Sequence, residues 1–265
     1  MSASLLSLHC LSFGVSFLLS ADSGALLAQM RECAPHATEF NTPPHSDAAQ
    51  FALLKSSTGY RLIVGDVSID DAGLEPLLDQ LACDLMVHVA NHAPDYVFMH
   101  AGVVAWQGRA VLLPGTSFAG KTTLVAELVG AGAIYYSDEY AVLDDRGRVH
   151  PYARDLQIRT EGSSEQRSVP VSQLNGRTGI DPLPVSLVVF TEYVEGSEWR
   201  TEPVSPGMAA LEMLRHTIPV QRIPARVMAA LARVMETATA LRSPRGEARD
   251  AASCILLAMD GALRT

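Results

Sequence analysis

One stretch of this chain combines residue types and spacing that can do chemistry: Gly115-Thr116-Ser117-Phe118-Ala119-Gly120-Lys121-Thr122, an instance of G-x-x-x-x-G-K-[ST]. Glycines let such a loop curl until successive backbone N–H groups point inward at phosphate oxygens. Lys121 adds a cation at the β/γ position, and the Thr122 hydroxyl can ligate Mg²⁺. The expected contacts to a nucleotide are therefore Gly115, Thr116, Ser117, Phe118, Ala119, Gly120, Lys121, Thr122 and Thr123. A glycine-rich turn that only caps a helix would use similar residues. With just two lysines in the chain, Lys55 and Lys121, chance matches to the full pattern number on the order of 0.001.

Asp138 and Glu139 follow Lys121 by seventeen and eighteen residues, at the end of the next expected strand. Carboxylates there, beside a phosphate loop, can hold Mg²⁺ or take a proton from an attacking hydroxyl. Adjacent side chains of a strand point opposite ways, so the two share one task only if the strand has ended. His100, 21 residues ahead of Lys121, is expected at the end of a strand beside the loop strand. It can orient the acid pair or touch the terminal phosphate, although spacing by itself favours a satisfied buried histidine.

The elements that must position these residues can be read around them. Residues 97–106 and 110–113 form two apolar strands joined at Gln107-Gly108, 121–129 a helix stopped by Gly130 and Gly132, and 133–136 a further strand. The loop thus follows a strand and opens a helix, the setting its chemistry requires. Residues 140–143 and 148–152 read as a hairpin, 184–190 as a buried strand, and the polar stretch 160–179 as a mobile loop able to carry substrate contacts. Ser205-Pro206 supplies a cap and a first-turn proline, and the last third reads as helical over 208–216, 224–241 and 247–263. Ahead of Tyr96 the pattern gives a strand over 8–19, a helix over 22–33, a loop over 36–48 and a hairpin of 51–54 with 60–64. A regular helix then carries Leu74, Leu77, Leu78, Leu81, Leu85 and Val89 on one stripe.

Composition narrows the partners. Apolar residues make up 48% and charged residues 18% of 265 residues, so the chain buries a core. A net charge of −9 offers no field for nucleic acid or an acidic membrane, and phosphate must be held by a local site. Cys10, Cys33, Cys83 and Cys254 form no metal-binding spacing, which fits reduced thiols in the cytoplasm. The apolar first twenty residues lack a basic start and alternate as a strand, against an export signal, and no run is long enough to span a membrane. His88 and His92 share a helix face but lack the glutamate of a zinc motif. A lysine-containing guanine-recognition segment is absent from the sequence.

The segment His100-Ala101-Gly102-Val103-Val104, the glycine-rich loop, and Tyr136-Ser137-Asp138-Glu139 together resemble the catalytic domain of HPr kinase/phosphorylase. That family shows His-Gly-Val, a phosphate loop and Ala-Asp-Asp at matching separations. The similarity covers roughly residues 97–159 and is greatest to the smaller HPr-kinase-like proteins of peptide-modification clusters, including lasso peptide kinases. The resemblance implies an α/β fold of the phosphoenolpyruvate-carboxykinase-like type, ATP and Mg²⁺ as cofactors, and phosphoryl transfer to a serine hydroxyl. It gives His100 a supporting role, Thr122 and Asp138 the metal, and Glu139 the place of the proton acceptor. Three departures stand out: Glu139 replaces an aspartate, Ala101 is inserted after His100, and the downstream Leu-Glu-x-x-Gly segment is missing. Arg154 and Arg159 are candidate phosphate clamps in its place.

The expected organisation is an N-terminal α+β region over 1–95, with guiding substrate as its expected role, and a nucleotide-binding catalytic domain over 96–265 with C-terminal helices. The expected activity is a cytoplasmic Mg²⁺/ATP-dependent kinase acting on a serine of a small protein or peptide, with no nucleic-acid or membrane partner. The family assembles as hexamers, and a homo-oligomer is the corresponding expectation. The alternative is a nucleotide-binding switch or ATPase without a phosphorylated acceptor.

Overall fold

The computed structural model describes residues 5–115, 120–159 and 166–262 and is mixed α/β. Thr116, Ser117, Phe118 and Ala119, in the middle of the glycine-rich loop, lie outside the described residues, as does the side chain of Arg159. Residues Met1–Asp95 form one compact unit and Tyr96–Thr265 a second.

The first unit comprises β1 (Leu6–Ser12), β2 (Val15–Ala21), α1 (Gly24–Glu32), β3 (Glu39–Phe40), β4 (Ala49–Lys55), β5 (Tyr60–Val64), β6 (Val67–Asp71) and α2 (Glu75–His92). Its sheet runs β3-β1-β2-β4-β5-β6, with β2 and β4 parallel. Residues 8–19, expected as one strand, are a hairpin. Phe13 and Gly14 both adopt positive φ, +46° and +78°, the requirement of a two-residue turn matched to strand twist. Because Ser12 then pairs with Val15, Cys10 and Ser12 point inward with Val15, Phe17 and Leu19, whereas Leu11 does not. Ser23 caps α1, accepting a hydrogen bond from the Leu26 N–H. The α2 stripe buries Leu77, Leu81, Leu85 and Val89. Leu85→Ala empties a fully buried site, and an unfolding titration in urea should show a loss of about 2–5 kcal/mol.

The second unit adds β7 (Val97–Trp106), β8 (Arg109–Pro114), α3 (Lys121–Gly130), β9 (Ile134–Ser137), β10 (Tyr140–Leu143), β11 (Arg148–His150), β12 (Leu156–Arg159), β13 (Gln166–Val169), β14 (Leu183–Tyr193), β15 (Glu202–Val204), α4 (Pro206–Leu214), α5 (Pro224–Thr237), β16 (Thr239–Arg245) and α6 (Ala248–Ala262). The main sheet is ordered β11-β10-β7-β8-β14-β16-β15, with β9 also paired to β7. β11 returns to the start of β14, so five strands close a ring. Alternation along the strands divides the core. Met99, Ala101, Val103, Ala110, Leu112 and Val188 meet α4 and α5, while Val104, Val111, Leu113, Leu187 and Val189 meet α3 and α6. Gly102 belongs to the second face: a Cβ there would lie 2.7 Å from Val125 Cγ2, so its small size lets α3 approach.

Two expectations for this unit are corrected. Residues 239–241 are not the end of a helix but the start of strand β16, parallel to β14 and antiparallel to β15, and α5 stops at Thr237. The segment is short and carries Ala, Leu and Arg, so local preference continued the helix, while pairing between two strands decides the outcome. The stretch 160–179 is not one loop: 166–169 pair with β12, 171–174 form a 3-10 turn, and Tyr135 bridges Thr178. Its backbone, not its apolar content, makes those bonds.

Candidate active site

β8, β14 and β16 are mutually parallel, so their carboxyl ends share one edge of the sheet, the edge where α/β sheets bind ligands. β8 delivers Gly115 there, and α3 begins at Lys121. Gly120 occupies the N-cap of α3 at φ +74°, a conformation glycine adopts freely. Lys121 Nζ donates to Gly115 O at 3.0 Å, spanning the two ends of the loop. Burial lowers the Lys121 pKa, opposed by Glu139 and Asp138.

β7 links this loop to the acid pair. Its first half pairs with β10, placing His100 opposite Tyr140, and its second half pairs with β8. His100 is thus inside the strand rather than at its end as expected, because one strand serves two partners in succession. Its carbonyl accepts from Gly115 N, and the next amide, Ala101 N, donates to Glu139 O. β9 ends at Ser137, whose Oγ accepts from both Glu139 N and Tyr140 N. Asp138 and Glu139 therefore sit in a turn, free of strand alternation.

The two carboxylates differ in surroundings. Asp138 is buried; its Oδ2 accepts from Thr122 Oγ1 at 3.0 Å and its Oδ1 from Tyr135 OH at 2.9 Å. Glu139 is partly open, with Oε2 bonded to Arg154 Nη2 at 2.8 Å and Oε1 3.6 Å from His100 Nδ1. Arg154 Nε also lies 3.7 Å from Asp138 Oδ1, so one guanidinium borders both acids. Burial drives the His100 pKa below the ordinary histidine value, with Glu139 opposing and Lys121 reinforcing the shift. Desolvation first, then Asp138, pushes the Tyr135 phenol far up, so it remains a donor. Tyr135→Phe removes that donor from a buried carboxylate; thermal melts should register a loss of about 1–3 kcal/mol.

His100, Lys121, Thr122, Asp138 and Glu139 are brought together, and Gly115, Gly120 and Thr123 line a cleft of about 890 Å³ beside them. Thr122 and Asp138 present hard oxygen donors. Among the described residues no group of three or more His, Cys, Asp or Glu forms an all-protein cage. That donor set fits Mg²⁺, which is ordinarily held by one or two carboxylates together with substrate phosphates.

Residues without a sequence signal also enter. His216 lines the cleft, and its carbonyl accepts from His100 N. Burial first and Lys121 second lower its pKa. Arg245, at the end of β16, lines the same cleft and donates from Nη2 to Gly120 O at 3.0 Å. Its one sequence signal is Arg245-Gly246 immediately ahead of the helix expected from residue 247. Tyr135 is buried in the core and also holds Asp138. His88 and His92 stack on one another in the first unit, away from any cluster of metal-ligating residues among those described.

No family profile matches the chain, and no curated protein matches it. Among solved structures it is similar to the HPr(Ser) kinase/phosphatase from Coxiella burnetii, at 14% identity and a TM-score of 0.31, over 63% of this chain and 93% of that one.

Proposed function

We propose that this chain is a cytoplasmic Mg²⁺/ATP-dependent kinase that transfers the γ-phosphate to a serine hydroxyl of a small protein or peptide. The observation that carries the reading is the junction at the start of α3: Thr122 is bonded to buried Asp138, and the more open Glu139 is held beside it by Arg154 and His100. The resemblance of residues 97–159 to HPr kinase supports the same reading.

Bound ATP and Mg²⁺ supply the transferable phosphoryl group and neutralise its charge. The chain's own groups do the rest. Lys121 and the backbone at the start of α3 bind the phosphates, and Thr122 with Asp138 offers the metal its oxygens. Glu139 takes the proton of the acceptor hydroxyl at Oε1, while Arg154 fixes Oε2. Asp138 is less suited to that task because both its oxygens already accept hydrogen bonds in a buried setting.

The test is transfer of label from γ-labelled ATP with Mg²⁺ into proteins and peptides of the source lysate, comparing wild type with Lys121→Ala. The expected result is a labelled species that appears only with wild type and whose phosphate maps to serine. Tight ATP binding lost in Lys121→Ala, with no labelled acceptor, supports the nucleotide-switch reading instead.

A further inference from the structure

β7 changes partners at His100. The His100 carbonyl accepts from Gly115 N, where β8 has just ended, while its N–H donates to His216 O at 2.8 Å. Met99 bridges Thr217 in antiparallel register, so one step further along His100 faces His216. Directly opposed residues of an antiparallel pair project from the same face of the sheet. Tyr140 stands opposite His100 on the other edge, with the two rings 4.8 Å apart. A row of Tyr140, His100 and His216 thus crosses one face of β7, beside Glu139, whose Oε1 lies 3.6 Å from His100 Nδ1.

The two histidines of this row are engaged differently. His100 has Glu139 and Tyr140 against its ring. His216 is half-buried in the wall of the cleft, and among the described residues its imidazole makes no hydrogen bond, ion pair or ring contact. The charges that reach this ring are Lys121, Glu212, His100 and Arg215, and Glu212 is itself tied to Arg242. The main chain around it is fixed. His216 N donates to Met213 O, and buried Thr217 donates from Oγ1 to the same carbonyl at 2.9 Å. A neutral imidazole carries one donor and one acceptor nitrogen, so a ring held in place at a cleft wall is ready to meet a polar group of a ligand.

The ligand follows from the order of groups along the row. Glu139 Oε2 is occupied by Arg154 at 2.8 Å, which leaves Oε1, on the His100 side, to take a proton. A serine giving its proton there has its hydroxyl at His100, and its chain leaves through the open cleft, where His216 is the next polar group of the row. Resting on the reading of Glu139 as proton acceptor of a serine kinase, we propose that His216 binds the acceptor, holding a main-chain peptide group beside the serine by a hydrogen bond to its imidazole. Such a bond fixes the hydroxyl against Glu139 without reading the neighbouring side chains.

The probe is a library of synthetic serine-centred peptides with randomised flanks, labelled from γ-labelled ATP with Mg²⁺ by wild type, Lys121→Ala, His216→Phe and His216→Gln, each with a thermal melt. For the peptide labelled best by wild type, His216→Phe should raise KM by about 5–10-fold while kcat stays within about 3-fold and ATP affinity is unchanged. His216→Gln, which keeps a donor and an acceptor, should recover most of that loss. Histidine side-chain NMR supplies a readout without turnover: the imidazole signal missing from the His216→Gln spectrum should shift in wild type on adding the peptide. A wild-type acceptor KM in His216→Phe, a loss confined to kcat or ATP affinity, or an imidazole signal indifferent to the peptide overturns this proposal and leaves the kinase reading standing. If His216→Phe fails to fold, the NMR signal decides. Wild type that binds ATP yet places no Lys121-dependent label in the library or in the source lysate overturns the kinase reading and this proposal together.

Discussion

Lys121→Ala is expected to reduce phosphoryl transfer by about 10³-fold or more, measured as initial rate of label transfer at saturating Mg²⁺ and ATP. The ammonium is the one lysine charge at the start of α3, and its tether to Gly115 O keeps it across the loop's mouth. Removing it takes away a cation where the transferred phosphate gathers charge. The fold should be nearly indifferent. A half-buried ammonium whose pKa is already lowered by desolvation contributes little to stability. An unchanged melt with lost transfer is therefore the expected pair of results, and substantial residual transfer would refute the phosphate assignment.

The second large effect separates the neighbouring acids. Glu139→Gln should lower kcat by about 10²–10⁴-fold while leaving nucleotide affinity close to wild type, because it removes a proton acceptor and little else. Its side chain is partly open, and its bond to Arg154 is a partly exposed ion pair, so the melt should move by no more than about 1 kcal/mol. Asp138→Asn should behave differently. It sets an amide among Thr122, Tyr135 and Arg154, three donors arranged for a carboxylate. Stability should fall by about 1–3 kcal/mol, and Mg²⁺-dependent nucleotide affinity should fall with it. Full kcat in Glu139→Gln, with transfer abolished but binding intact in Asp138→Asn, would exchange the two roles.

Much of the scaffold was legible where local pattern and tertiary demand agree. The Leu77, Leu81, Leu85 and Val89 stripe is buried as its period requires, and Gln107-Gly108 turns between β7 and β8 with both residues at positive φ. The loop's setting between β8 and α3 was legible for the same reason. What escaped is what only long-range pairing determines. Phe13-Gly14 interrupts a run whose alternation continues through the turn, so one strand and a hairpin look alike from the residues. Thr239 to Leu241 carries residues acceptable to a helix and belongs to a strand only because β14 and β15 flank it. The same reason hid Arg245: its importance lies in meeting Gly120, 125 positions away in sequence. His216 likewise owes its place to a loop that bridges β7, pairing Thr217 with Met99 while His100 N donates to His216 O. Glu139 could be named from the sequence, but its contrast with Asp138 could not, since Tyr135 and Arg154 distinguish them only after folding.

The position of β16 also bears on how the chain is made. It is inserted between β14 and β15, although both are synthesised before it. Until residues 239–245 leave the ribosome, β14 keeps an open edge through the apolar run Val185–Phe190, which elsewhere in the sheet is satisfied only on its β8 side. Such an edge is a template for pairing with another chain. Nascent chains halted before β16 should therefore be the ones that chaperones retain, and nucleotide competence should arise abruptly with the last strand rather than gradually along the length.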